Sequence, residues 1–147
     1  MRKFFGPVWL YRICTVLFLL FAAGHTIGFL TFVAPTPEAR EVYARMHAVK
    51  FGADGRFFTY GAFYRGFGLY VSIYLVLCAY LSWFLSRCAA RDTPIPRDLG
   101  WSMALLQLAG IILSARYFSP PPVVFSVVLT VLLSAAAIKV RDHSRGS

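Results

Sequence analysis

Long apolar stretches separated by short polar ones make up most of the chain. Four runs, residues 13–37, 66–86, 99–115 and 117–138, contain no Asp, Glu, Lys or Arg. A helix needs about 20 apolar residues to cross the hydrocarbon core of a bilayer, so each run is near or above one span. None alternates with period 2, which excludes the strands of a membrane barrel, and lipid admits no third spanning structure. The pattern predicts an all-α integral membrane protein, an antiparallel four-helix bundle forming a single domain over residues 1–147. Spans are expected at about residues 9–33, 60–84, 99–116 and 120–138, with an external amphipathic helix over about 37–51 between the first two.

The polar punctuation supports these bounds. Trp9, Tyr11 and Arg12 read as interfacial anchors of the first span, and Trp83 as the far anchor of the second. Between residues 86 and 98 the arginines and prolines predict a short non-helical loop, with Asp98 capping the third span. Ser119-Pro120 reads as a cap followed by a first-turn proline, where the missing N–H donor is harmless. Thr36-Pro37 repeats that signal before the external helix, and Glu38 and Glu41 suit the positive end of its dipole. Val42, Met46 and Val49 recur on one face, and Gly52 and Gly55 end the helix. This segment either lies on the outer leaflet or forms a lid over an opening between spans.

Composition agrees with a membrane protein, at 59% hydrophobic and 14% charged residues. The net charge of +9 lies at helix ends, where it suits anionic lipid headgroups. No basic stripe interleaves with stacking aromatics, so nucleic acid is not an expected partner. Cys14, Cys78 and Cys88 lack CxxC spacing, so neither a disulfide framework nor a metal site is expected. Arg2 and Lys3 before an apolar run resemble a signal peptide, but the run is too long for one and reads as a retained helix.

Charge counting orients the spans. Arg2, Lys3, Arg12, Arg87, Arg91, Arg97, Lys139, Arg141 and Arg145 fall on the side of the termini, against Arg40, Arg45, Lys50, Arg56, Arg65 and Arg116 opposite. Nine against six favours cytoplasmic termini in the inner (plasma) membrane.

Candidate chemistry is sparse. His25 lies in the first span between Gly24 and Gly28, about 12 Å below the outer boundary at about 1.5 Å per residue. An ionisable group at such depth is a functional candidate, here for acid/base work, or a histidine bonded across a helix contact. Gly61, Arg65, Gly68 and Ser72 share a face of the second span. Arg65 either snorkels outward or faces inward, where it needs a carbonyl, a carboxylate such as Glu38, Glu41 or Asp54, or an anionic ligand. Tyr60 and Tyr64 are interface-belt residues or pocket donors, and His47 and Arg116 map to the same outer half. Gln107, Gly110 and Ser114 share one face of the third span, and Ser126, Thr130 and Ser134 one face of the fourth. Such stripes are usual helix-packing faces, though the Gln107 amide needs several partners. With no Asp or Glu in any span, a cation-coupled exporter is disfavoured.

The Gly24-His25-Thr26 start and the later Gly52-x-x-Gly55-Arg56, Tyr60 and Tyr64-Arg65-Gly66-Phe67-Gly68-Leu69 resemble an uncharacterised family of small bacterial four-span membrane proteins. The likeness covers about residues 20–85 and implies a fold without an activity. Where that family carries a Trp-Asp pair this chain has Gly61-Ala62, so no acid stands there. More remotely, size and span count are similar to DoxX-like and anthrone-oxygenase-like membrane proteins, at the level of fold alone.

Two functions follow. One is a membrane enzyme acting on a quinone, phenol or lipid carbonyl in an outward-facing pocket. There His25 is the acid/base, Arg65 stabilises negative charge, and Tyr60, Tyr64, Gln107, Arg116 and His47 line the ligand. The other is a non-enzymatic binding or accessory protein whose polar residues hold helices together. Membrane lipids are the expected partners of either; no cofactor or oligomeric state can be read from the residues.

Overall fold

The computed structural model describes residues 6–140. The N-terminal Arg2 and Lys3 and the C-terminal Arg141 and Arg145, used in the charge count above, lie outside the described residues. In chain order the elements are α1 (Pro7–Leu30), α2 (Pro37–Ala48), β1 (Lys50–Ala53), β2 (Arg56–Thr59), α3 (Tyr60–Ala90), α4 (Ile95–Tyr117) and α5 (Pro120–Lys139). The helices α1, α3, α4 and α5 are each long and apolar enough to cross a membrane. Their apolar side chains remain widely exposed, with Leu20 at 56%, Ile73 at 67%, Ile112 at 66% and Ile138 at 69%. Water would not tolerate so much uncovered apolar surface, whereas lipid tails do.

The described chain divides into two compact units. One joins the part up to Phe21 with everything from Leu75 onward, and the other is Ala22–Tyr74.

In the first unit α4 and α5 form a helical hairpin joined by Phe118 and Ser119. A Cβ at Gly110 would sit 3.4 Å from Ser126 Oγ, and one at Gly100 would sit 3.3 Å from the Ala137 Cβ. Small residues therefore set how closely the two backbones approach. Ser126, Leu129, Leu133, Ala136 and Ala137 of α5 are buried, as are Met103, Ala104 and Gln107 of α4. Tyr11 is fully buried, and its hydroxyl donates to the Pro96 carbonyl. The expectation of an interfacial anchor at Tyr11 thus fails; a buried phenol needs an acceptor, and Pro96 supplies one. Trp9 and Arg12 do stay exposed, with the Arg12 guanidinium 5.3 Å from the Trp9 ring centre.

The expected loop over residues 86–98 is shorter than its composition implies. Helix α3 continues to Ala90, and Asp92 adopts a left-handed φ of 55° just beyond its end. Helix α4 then begins at Ile95 with Pro94 as its N-cap and Pro96 in its first turn. Asp98 consequently lies inside the first turn and does not cap. Prolines that read as helix breakers are tolerated at this end, because first-turn amides lack intrahelical partners anyway.

In the second unit Thr36 caps α2, its Oγ1 accepting from the Ala39 amide at 3.1 Å. The helix has no buried residue, and Arg45 pairs with Glu41 at 2.7 Å across one turn. Val42 stays outward, at 60% exposure, while Tyr43 and His47 face the rest of the unit. The expected continuation of α2 through Phe51 is replaced by a β-hairpin, which adds two short strands to an otherwise helical chain. Phe51 pairs with Phe58 and Gly52 with Phe57 across it. Asp54 and Gly55 form a two-residue turn with φ of 51° and 74°, both in the left-handed region that a right-twisted hairpin requires. Gly55→Val puts a branched side chain in that conformation and is expected to destabilise the hairpin by about 1–2 kcal/mol. Hydrogen exchange of the Phe51 and Phe58 amides should accelerate accordingly; unchanged protection would contradict the turn's role.

Candidate functional site

The second unit is built around two glycines on one face of α3. At Gly61 a Cβ would lie 2.7 Å from the His47 ring, and at Gly68 it would overlap the Phe29 ring. Glycine at these positions lets side chains from α2 and α1 lie directly on the α3 backbone. Gly68 also exposes its carbonyl, which His25 Nε2 approaches at 3.0 Å. A carbonyl only accepts, so the imidazole donates through Nε2 in this contact. One residue further along α1, Thr26 Oγ1 shares a 2.8 Å hydrogen bond with Ser72 Oγ and lies 2.7 Å from the Ala22 carbonyl. The two contacts form adjacent rungs between α1 and α3.

Rings extend the contact outward. His25 stacks on Phe29 with centroids 5.9 Å apart, and Phe29 meets Tyr64 at 5.3 Å. Phe32 meets Tyr43 edge-on at 6.1 Å, and Tyr43 meets His47 at 4.6 Å. His47 Nδ1 lies 2.9 Å from the Tyr43 carbonyl and donates to it. Tyr60 stands against Phe51 at 4.8 Å, where the hairpin runs into α3.

Of the candidate residues, His25 therefore joins Tyr64 through Phe29, and His47 sits over Gly61. Tyr60, Tyr64 and Arg65 are exposed. Among the described residues Arg65 makes no hydrogen bond or ion pair, and the Glu41 carboxylate is taken by Arg45. Gln107 and Arg116 belong to the first unit, Gln107 buried in α4 and Arg116 exposed near its end. An apolar cleft of about 350 Å³ on α3 is lined by Phe63, Gly66, Phe67 and Tyr70.

Phe29 and Tyr43, the rings that organise this unit, are not among the candidates that the sequence singles out. Their signal was spacing, since Phe29 stands four residues after His25 and Tyr43 four before His47. Chemically the arrangement holds a histidine on a backbone carbonyl and stacks its ring on Phe29.

By its four spanning helices the chain belongs to the class of multi-pass membrane proteins. Compared with protein-family models, with curated proteins and with solved structures, it matches none.

Proposed function

We propose that this chain is a non-enzymatic binding or accessory protein of the inner membrane, and that its intramembrane polar residues hold helices together. It is an antiparallel four-helix bundle with cytoplasmic termini and with α2 and the hairpin outside, and it belongs with the small bacterial four-span proteins it resembles. The observation that carries this reading is the 3.0 Å contact of His25 Nε2 with the Gly68 carbonyl. The side chain best suited to proton transfer spends its donor on the backbone of a neighbouring helix. The exposed Arg65, without a carboxylate partner among the described residues, supports snorkelling to the headgroup layer.

His25→Ala should lower stability in detergent by about 1 kcal/mol, the cost of a lost part-buried hydrogen bond. Arg65→Ala should change it by less than about 0.5 kcal/mol, as exposed substitutions do. Copurified quinones, phenols and lipids, measured by mass spectrometry, should be the same in both variants as in the parent. Loss of such a molecule at unchanged stability would make the enzyme reading, with His25 as acid/base and Arg65 stabilising charge, the better account. For topology, a periplasm-active reporter should be silent after Ser147 and active when inserted at Asp54.

A further inference from the structure

The first unit holds a second polar feature that the helix contacts do not use. A cleft of about 420 Å³ is lined by Arg12, Thr15 and Val16 of α1 and by Trp83, Ser86 and Arg87 of α3. Its volume falls in the range of roughly 300–1,000 Å³ usual for small-ligand sites. Both arginines are held over tryptophan rings, Arg12 at 5.3 Å from the Trp9 centre and Arg87 at 5.4 Å from that of Trp83. Neither has an acidic partner among the described residues, and no acid lines the cleft. An adjoining cleft, sharing Trp83 and Arg87, adds Arg91 in the turn just past the end of α3.

Like charges gathered at a membrane-level cleft repel unless an anion lies between them. The hydroxyls present cannot serve as donors to it. Thr15 Oγ1 already donates to the Tyr11 carbonyl at 3.0 Å, and Ser86 Oγ to the Trp83 carbonyl at 2.6 Å. The available donors are the guanidinium forks, whose planar geometry matches phosphate oxygens. Below the arginines the surface turns apolar. Val16 and Leu20 are one turn apart on α1, and Tyr80 and Val76 lie successively deeper on α3, all more than half exposed. A polar mouth continuous with an apolar flank fits a headgroup with its acyl chains better than a free ion.

We propose that Arg12 and Arg87 bind the phosphate of an anionic phospholipid at the membrane surface nearer the start of α1. With no carboxylate to receive a choline or ethanolamine ammonium, the cleft selects a lipid of net negative charge. This site shares no residue with the His25 contact and does not depend on the accessory-protein reading.

The test uses the full chain in a neutral detergent, titrated with short-chain phosphatidylglycerol and followed by tryptophan fluorescence, with lipid adducts counted by native mass spectrometry. Saturable binding is expected, weaker by about tenfold in Arg12→Gln or in Arg87→Gln and by about a hundredfold in the double variant. The paired Arg→Lys variant should fall between, because charge remains while the fork is lost. Arg40→Gln, on the exposed face of α2, should bind as the parent does, and circular dichroism should report equal helix content throughout. Undiminished affinity in the double glutamine variant would overturn the site, as would equal affinity for phosphatidylcholine. Competition by inorganic phosphate at the concentration of the lipid would overturn the lipid as its ligand.

Discussion

Gly100→Ala should unfold in detergent at markedly lower denaturant than the parent, with a net loss of roughly 2 kcal/mol. The new Cβ would overlap the hydroxyl of Tyr11, a side chain that is fully buried and bonded to the Pro96 carbonyl, and would crowd Ala137 at 3.3 Å. Overpacking of this kind costs about 1–3 kcal/mol, and displacing the hydroxyl from its acceptor adds about 1. Alanine's better helix propensity returns about 1 kcal/mol. Because the clash is with one oxygen, its removal should relieve it. Tyr11→Phe alone should destabilise by about 1 kcal/mol, but in the Gly100→Ala background it should cost nothing or restore stability. Strict additivity in this double-mutant cycle would show that the hydroxyl does not set the spacing.

A second large effect is expected at Gly68, with an internal control two residues away. Gly68→Leu would drive a side chain through the Phe29 ring, whose displacement breaks its stacking on His25 and its contact with Tyr64. A loss of about 3 kcal/mol is expected, at the upper end for overpacking. At Gly66 a Cβ meets nothing within 4 Å, so Gly66→Leu should be neutral or stabilise by about 1 kcal/mol through helix propensity. Midpoints of unfolding in mixed micelles separate the two. Equal losses at both positions would mean that helix flexibility, and not packing on α1, is what the glycines provide.

The spanning helices were legible because bilayer thickness imposes a length and a ban on charge that few other constraints match. The glycine face of α3 was legible too, through the spacing of Gly61, Arg65, Gly68 and Ser72, although Arg65 is exposed and takes no part in the contacts made there. What occupies that face was not. Periodicity shows that a backbone can be approached closely, but not that Phe29 and His47 are the side chains that approach it. The hairpin was hidden for a different reason. The apolar repeat of Val42, Met46 and Val49 extends a helical pattern to its edge, where Gly52 and Gly55 read as a helix stop and Asp54 as an acceptor for Arg65, although Asp54-Gly55 is equally a strong signal for a two-residue turn. Tyr11 is ambiguous in sequence because an aromatic near a span end suits a headgroup layer as well as a buried acceptor, and only Pro96 decides between them.

The joint between hairpin and span has a mechanical consequence. Strand β2 ends at Thr59 and α3 begins at Tyr60, with Thr59 Oγ1 accepting from the Ala62 amide at 3.0 Å. No slack residue intervenes, and Phe51 braces the corner against both Tyr60 and Phe63. The hairpin is therefore a handle welded to the helix rather than a tether hung from it. Torque applied at Asp54 reaches the first turns of α3 directly, so a spin label at that tip would report the helix's own rotation instead of the wandering of a loop.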